Sequence, residues 1–277
     1  MLHCYTTKSN TILTIKELGM SLVLLNSDMK QHIKKLVRDF LHTNFDFPWI
    51  RQSYSQFGED SILRSLIESE LWGAWEKGDH SRGKKVKDYS GFYVDIGAFA
   101  PKQYSNTYWL YKQGWKGINV DATPGSMNNF KAARKRDINL ELAVSDKKEE
   151  LTYYAWETGG AITNTFSKEQ ADKYTDIYKI KPQEITLTTI TLSDILDKHT
   201  PTGQKIDLFS IDVEGNNLKV LRSNNWSKYI PKYIIVELDD DESNIEQIQS
   251  SPIYLFLKEK GYDLKGWTCL SLLFVKS

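Results

Sequence analysis

The stretch GFYVDIGAFAPKQYSNT, residues 91 to 107, decides the fold. It opens as an apolar run (Phe92, Tyr93, Val94), delivers Asp95, and breaks at Gly97 into a small, polar loop carrying Pro101. A short apolar run bounded by turn residues reads as a strand buried on both faces. Downstream, strands and helices alternate: YSNTYWLYKQG reads as a helix, KGINVDA as a strand, GSMNNFKAARKR as a helix and INLELAVSD as a third strand. ELTYYAW follows as an extended insertion, then EITLTTITL, the short helix SDILDKH, the strand KIDLFSIDVEG, the helix NNLKVLRSN, the strand KYIIVELDD and the helix IYLFLKEKG. Such alternation implies a mainly parallel sheet with helices on both faces. The closing YDLKGWTCLSLLFVKS holds two extended runs with no helix between them, so they pair antiparallel at one edge.

Upstream of the stretch, YSQFGEDSILRSLIESELW reads as a helix with Ile62, Leu63, Leu66 and Ile67 inward, and EKGDHSRGKKVKDYSG as a solvated loop. Residues 1 to 50 form a helical extension. In SDMKQHIKKLVRDFLH, Met29, Ile33, Leu36, Val37, Phe40 and Leu41 recur at helical spacing behind an N-cap at Ser27 or Asp28. That stripe covers either the main domain, residues 51 to 277, or a second copy in a homodimer.

The 277 residues carry 36 basic and 36 acidic side chains, a net charge of zero that gives no reason to expect a nucleic-acid partner. No run of about 18 apolar residues appears, so no membrane span is expected. Cys4 and Cys269 lie near opposite ends without metal-type spacing, which favours a reduced, cytoplasmic setting.

Ligands of open α/β sheets bind beyond the carboxyl ends of the strands. The loop DIGAFAPK lacks the glycine fingerprint of a dinucleotide site, and Asp95 would repel a pyrophosphate. It suits a ligand bearing an ammonium and a sulfonium. Asp121, ending the next strand, suits ribose hydroxyls, and Ser145 with Asp146 would flank an adenine. The pattern favours S-adenosyl-L-methionine over a nicotinamide dinucleotide.

SQFGEDSIL, FYVDIGAFAPKQYSNTYWLYKQGWKGINVDATPGSM, INLELAVSD, IDLFSIDVEGNNLKVL and PKYIIVEL together resemble the FkbM family of S-adenosylmethionine-dependent methyltransferases. The resemblance spans residues 54 to 277. It implies an α/β class I methyltransferase (Rossmann-like) fold with a seven-stranded sheet, and O-methylation of a sugar or glycan, as in polysaccharide biosynthesis. The donor-binding set expected from it and from the strand ends is Gln56, Asp95, Gly97, Ala98, Asn106, Asp121, Ala122, Ala143, Val144 and Ser145. Glu59 and Asp60 would also reach over the donor, or merely suit a helix N-terminus. Many relatives carry His where this chain has Ala100 and Asn216, which weakens any mechanism built on a histidine base there.

Methyl transfer to an alcohol needs a base or a metal at the acceptor hydroxyl. Asp212 and Glu214 are two apart, on one side while the chain stays extended, and Glu237 ends the next parallel strand. These three are the candidate catalytic residues. Crowded carboxylates either raise one another's pKa or recruit a hard cation such as Mg²⁺, for which the same three would be ligands. Asp239 and Asp240 are expected to face solvent. The segment WETGGAITNTFSKEQADKY is read as a lid over the acceptor, with Trp156 and Phe166 either stacking on a sugar or lying in the core. A nicotinamide-dependent oxidoreductase and a non-enzymatic adapter that keeps the fold are the rival functions.

Overall fold

A computed structural model describes residues 52–71, 86–156, 163–238 and 244–277. The expected helical extension of residues 1 to 50, with the helix read there as covering the main domain or a second copy, the basic loop up to residue 85, and Asp239 and Asp240 lie outside the described residues.

The strands β1 (Phe92–Ile96), β2 (Lys116–Asp121), β3 (Ile138–Glu141), β7 (Leu208–Ile211), β8 (Tyr233–Glu237), β9 (Tyr262–Trp267) and β10 (Ser271–Lys276) form one sheet in the order β3-β2-β1-β7-β8-β10-β9. β3, β2, β1, β7 and β8 run parallel, and β10 is antiparallel to both β8 and β9. This is the expected seven-stranded sheet with its C-terminal hairpin. All five residues of β1 are buried because helices cover both faces.

Side chains alternate between two cores, as the two-residue period of a strand requires. On one face Val94, Ile96, Phe209, Ile234 and Phe274 pack with Leu192, Ile195 and Leu196 of α5 (Leu192–His199), Val220 and Leu221 of α6 (Asn217–Arg222), and Leu257 of α8 (Pro252–Glu259). On the other, Tyr93, Leu208, Ile235 and Leu273 meet Leu63 and Ile67 of α1 (Glu59–Leu71), Trp109 and Leu110 of α2 (Tyr108–Lys112), and Trp115. The remaining helices are α3 (Met127–Ala133), α4 (Lys168–Tyr178) and α7 (Ile245–Ser250). No helix among the described residues is long and apolar enough to cross a membrane.

One expected element divides. INLELAVSD is not a single strand: it breaks at Leu142, whose amide donates to the Asp121 carbonyl. β3 stays in the main sheet, while β4 (Ala143–Val144) joins β6 (Gln183–Ile190) and β5 (Glu150–Ala155) in a second sheet of order β4-β6-β5. β4 is parallel to β6 and β5 antiparallel to it. Ala143, Val144 and Ser145 therefore do not sit at the tip of a main-sheet strand. This small sheet walls one side of the strand ends.

Candidate active site

The strand order reverses between β1 and β7, and β2 and β8 flank that point. A cavity of about 630 Å³ opens there, at the carboxyl ends of the parallel strands. That volume lies within the ordinary range for small-molecule sites.

At the end of β1 the amides of Gly97 (2.9 Å) and Ala98 (3.0 Å) both donate to the Val120 carbonyl, turning the chain sharply. Gly97 has φ +78° and lines the cavity. A Cβ at Gly97 would lie 1.5 Å from the Asp212 carbonyl oxygen, so glycine is required by the close approach of two strand ends. Asp121 lines the cavity from the end of β2. Its Oδ2 accepts the Phe99 amide at 3.0 Å and its Oδ1 the Thr123 amide at 2.8 Å. Burial pushes its pKa up, and these backbone donors pull it back.

The carboxylates of Asp212, Glu214 and Glu237 each place an oxygen within 4.8 Å of the other two. Glu237 is the last residue of β8, whereas β7 ends at Ile211. Asp212 and Glu214 therefore lie beyond the strand, and Glu214 has φ +47° and Gly215 φ +86°. The extended chain assumed from sequence is absent, yet the turn still brings the two carboxylates together. Glu214 is an uncommon left-handed non-glycine residue, a conformation that costs about 1–3 kcal/mol and concentrates at functional sites. Its neighbours hold it there: Asn217 Oδ1 accepts the Val213 amide at 2.8 Å, and the Thr165 hydroxyl lies 2.8 Å from the Glu214 carbonyl. Burial, and then the charge of Asp212, raise the Glu214 pKa from 4.5 to about 8.

Of the residues expected from sequence, Gln56, Gly97, Asp121, Ala122, Val144, Asp212, Glu214 and Glu237 line this cavity. Asn106 instead lines a small adjoining recess with Gln56, Asp212 and Glu237, and its amide donates to Ser210 Oγ at 3.2 Å. Ala98, Ala143 and Ser145 are buried outside the described lining. Asp95 is buried as well: its Oδ2 accepts a 2.6 Å hydrogen bond from Thr107 Oγ1, and burial pushes its pKa up. A carboxylate so enclosed braces the loop 97–107 from behind rather than facing the cavity. Glu59 and Asp60 are also engaged in the protein. Glu59 accepts from the Phe57 amide and the Thr268 hydroxyl, and Asp60 from the Tyr54 amide and the hydroxyls of Ser53 and Ser55. Trp156 is core and Phe166 lines the cavity, which divides the two options that the sequence left open.

No motif in the sequence singles out Arg134. It is fully buried, donates to the Pro101 carbonyl (2.7 Å), Tyr93 Oη (2.9 Å) and Ser105 Oγ (2.8 Å), and lies 3.6 Å from Asp137. Arg134 fixes the loop between β1 and α2 from below. In the run ARKR nothing but the fold distinguishes it from its neighbours. Tyr153, Asn164, Gln170, Lys173 and Tyr174 also line the cavity. The last three belong to α4 and lie within the stretch read as a lid, and the i,i+4 pair of Tyr174 with Tyr178, just beyond that stretch, is the available signal.

Five carboxylates line the cavity (Asp121, Glu169, Asp212, Glu214 and Glu237), against Lys173 as the sole basic side chain of its described lining. Such a surface favours a cationic ligand and disfavours a pyrophosphate. Together with the sheet order, it defines a class I S-adenosylmethionine-dependent methyltransferase. The sequence matches the Methyltransferase FkbM domain over residues 95–264, more than half the chain, and the protein belongs to that family.

No curated protein matches the chain. Among solved structures, similar ones include monomeric WbdD (12% identity, TM-score 0.37), covering 77% of this chain and 40% of that one. The O-methyltransferase from Bacillus cereus in complex with SAH has 12% identity and a TM-score of 0.36, over 94% of this chain and 96% of that one. A TehB-like SAM-dependent methyltransferase from Corynebacterium glutamicum has 10% identity and a TM-score of 0.36, over 91% of this chain and 100% of that one. Likeness at this level says nothing about the acceptor.

Proposed function

We propose that the protein transfers the methyl group of S-adenosyl-L-methionine to a hydroxyl of a sugar or glycan, with Glu214 as the proton acceptor. The observation that carries this reading is the convergence of Asp212, Glu214 and Glu237 on the wall of an acidic cavity at the switch point of the sheet.

The donor fits the residues present. Asp121 stands at the end of β2 on the cavity wall, where a carboxylate can meet ribose hydroxyls, Ala122, Leu142 and Val144 offer apolar walls to an adenine, and Gln56 and Gly97 line the same cavity. When bound, S-adenosylmethionine supplies a methyl carbon already activated by its sulfonium, so the chain has chiefly to align the partners. Glu214 would take the proton that the acceptor hydroxyl gives up as its oxygen is methylated. A base with pKa about 8 is well matched to such a transfer near neutral pH.

The three carboxylates also fit a hard divalent cation such as Mg²⁺, which would be held by Asp212, Glu214 and Glu237 and would acidify a hydroxyl beside it. A cation favours the ionised form of Glu214 and so moves the onset of activity to lower pH. If activity is full in chelator and its pH profile does not respond to Mg²⁺, the cluster works as a base alone.

Calorimetric titration tests the donor. S-adenosylhomocysteine binds at about micromolar affinity and NAD⁺ does not, while Asp121→Ala weakens S-adenosylhomocysteine roughly tenfold or more through lost charge-assisted hydrogen bonds. No binding to the folded protein, with or without Mg²⁺, would favour the adapter.

A further inference from the structure

The cavity mouth carries two stacked aromatic pairs that neither donor binding nor proton transfer uses. Tyr174 and Tyr178, four apart on α4, share one helix face, with ring centroids 6.0 Å apart and planes at 15°. Behind them the buried Trp156 meets Tyr174 edge-on at 6.1 Å and donates its indole N–H to the Ile180 carbonyl at 3.0 Å. The ladder thus climbs from the core, through the half-buried Tyr174, to Tyr178, which is 44% exposed.

Phe99 and Tyr104 form the second pair, with centroids 6.1 Å apart and planes at 20°. Both have left-handed backbones, φ +51° and +53°, and Tyr104 is 43% exposed. All four rings line the cavity. Bulky residues in that backbone region are strained, and an exposed aromatic gains little from folding, so the arrangement points to a bound ligand.

Both pairs are anchored to the reacting site. α4 is N-capped by Ser167, whose side chain accepts the Gln170 amide, and Thr165 just before it contacts the Glu214 carbonyl. The Phe99 amide donates to Asp121, and Arg134 grips Pro101 and Ser105 within the second pair's loop. Tyrosine offers a rigid apolar face with a polar tip at low conformational cost. That chemistry suits a sugar ring, with its C–H face and rim of hydroxyls. The cavity's volume of about 630 Å³ is that of an ordinary small-molecule site, so a second sugar ring would extend towards the exposed Tyr104 and Tyr178.

Resting on the sugar reading above, we infer that the acceptor is a glycan chain rather than a free monosaccharide. Tyr104 and Tyr178 hold the sugar next to the one that is methylated, and so set acceptor length.

The test uses the full chain, labelled S-adenosylmethionine and p-nitrophenyl mono-, di- and trisaccharides of glucose, galactose, mannose and rhamnose. Transfer kinetics are paired with saturation-transfer NMR of each sugar in the presence of S-adenosylhomocysteine. The trisaccharide that is methylated is favoured over its monosaccharide by about tenfold or more in kcat/KM, and Tyr178→Ala and Tyr104→Ala bring that ratio close to one through KM. Saturation transfer to the second ring is lost in the variants, with S-adenosylhomocysteine affinity as the internal control. Equal kcat/KM for the two acceptor lengths, or a ratio indifferent to both substitutions, overturns the inference and leaves the sugar reading standing. Neither transfer nor saturation for any sugar, in protein that binds S-adenosylhomocysteine, overturns both.

Discussion

Glu214→Gln lowers kcat by about 10³-fold, the scale of a lost general base, while making the ligand-free protein more stable in alkaline buffer. The two effects share one cause. Burial, then the neighbouring charge of Asp212, raise the Glu214 pKa from 4.5 to about 8. Between those values the folded state binds more protons than the unfolded state, so stability falls as pH rises through the window and levels off above it. A neutral glutamine removes that loss. The gain should be about 2 kcal/mol near pH 9, less than the full shift converts to because Glu214 is only partly buried, and it should vanish below pH 4.5. Thermal melts across pH read the stability arm. In the parent, activity rises with pH and levels off above about 8, because the base must be ionised, and Asp212→Asn moves that rise to lower pH. A Glu214→Gln protein with near-parental kcat would remove Glu214 from the chemistry, whatever its stability.

The sequence shows the sheet clearly because its central strands are buried on both faces. Runs such as FYVDI and LFSI can be little else when helical periods separate them. The carboxylate cluster was legible for a related reason: parallel strands all present their carboxyl ends on one side, so acids at the ends of β7 and β8 must meet. What stayed hidden was set by tertiary contact. Leu142 divides INLELAV between two sheets with no glycine or proline to mark it, since the division depends on β6, more than 40 residues downstream. Arg134 reads as one more basic residue at the end of a helix, and only the fold buries it beneath the loop that bounds the cavity. Asp95 was expected at the donor because an acid there suits a cationic ligand; that it lies buried, with Oδ2 accepting from Thr107, depends on a loop contact the strand pattern does not show.

Gly97→Ala separates two reasons for a glycine at the end of β1. If the residue serves only the donor, the ligand-free variant loses no more than the backbone strain of alanine at a positive φ, and its main loss is in affinity. The geometry argues otherwise. A Cβ there would lie 1.5 Å from the Asp212 carbonyl oxygen, a backbone atom that can yield only if β1 and β7 part where the carboxylates gather. Gly203 is the control, because its φ of +75° nearly equals the +78° of Gly97 while a Cβ there meets nothing within 4 Å. Gly203→Ala therefore reports the backbone strain alone, about 1 kcal/mol. Gly97→Ala adds the collision, for a loss of about 4 kcal/mol and a Tm lower by roughly 10 °C in a protein of this size. S-adenosylhomocysteine affinity and kcat should fall with it, since the shift displaces Asp212 and the turn that carries Glu214. Equal melting temperatures for the two variants would show that the strand ends part freely, and would return Gly97 to the donor. A large gap between them would mean that the same contact which closes the sheet also positions the acids of the site.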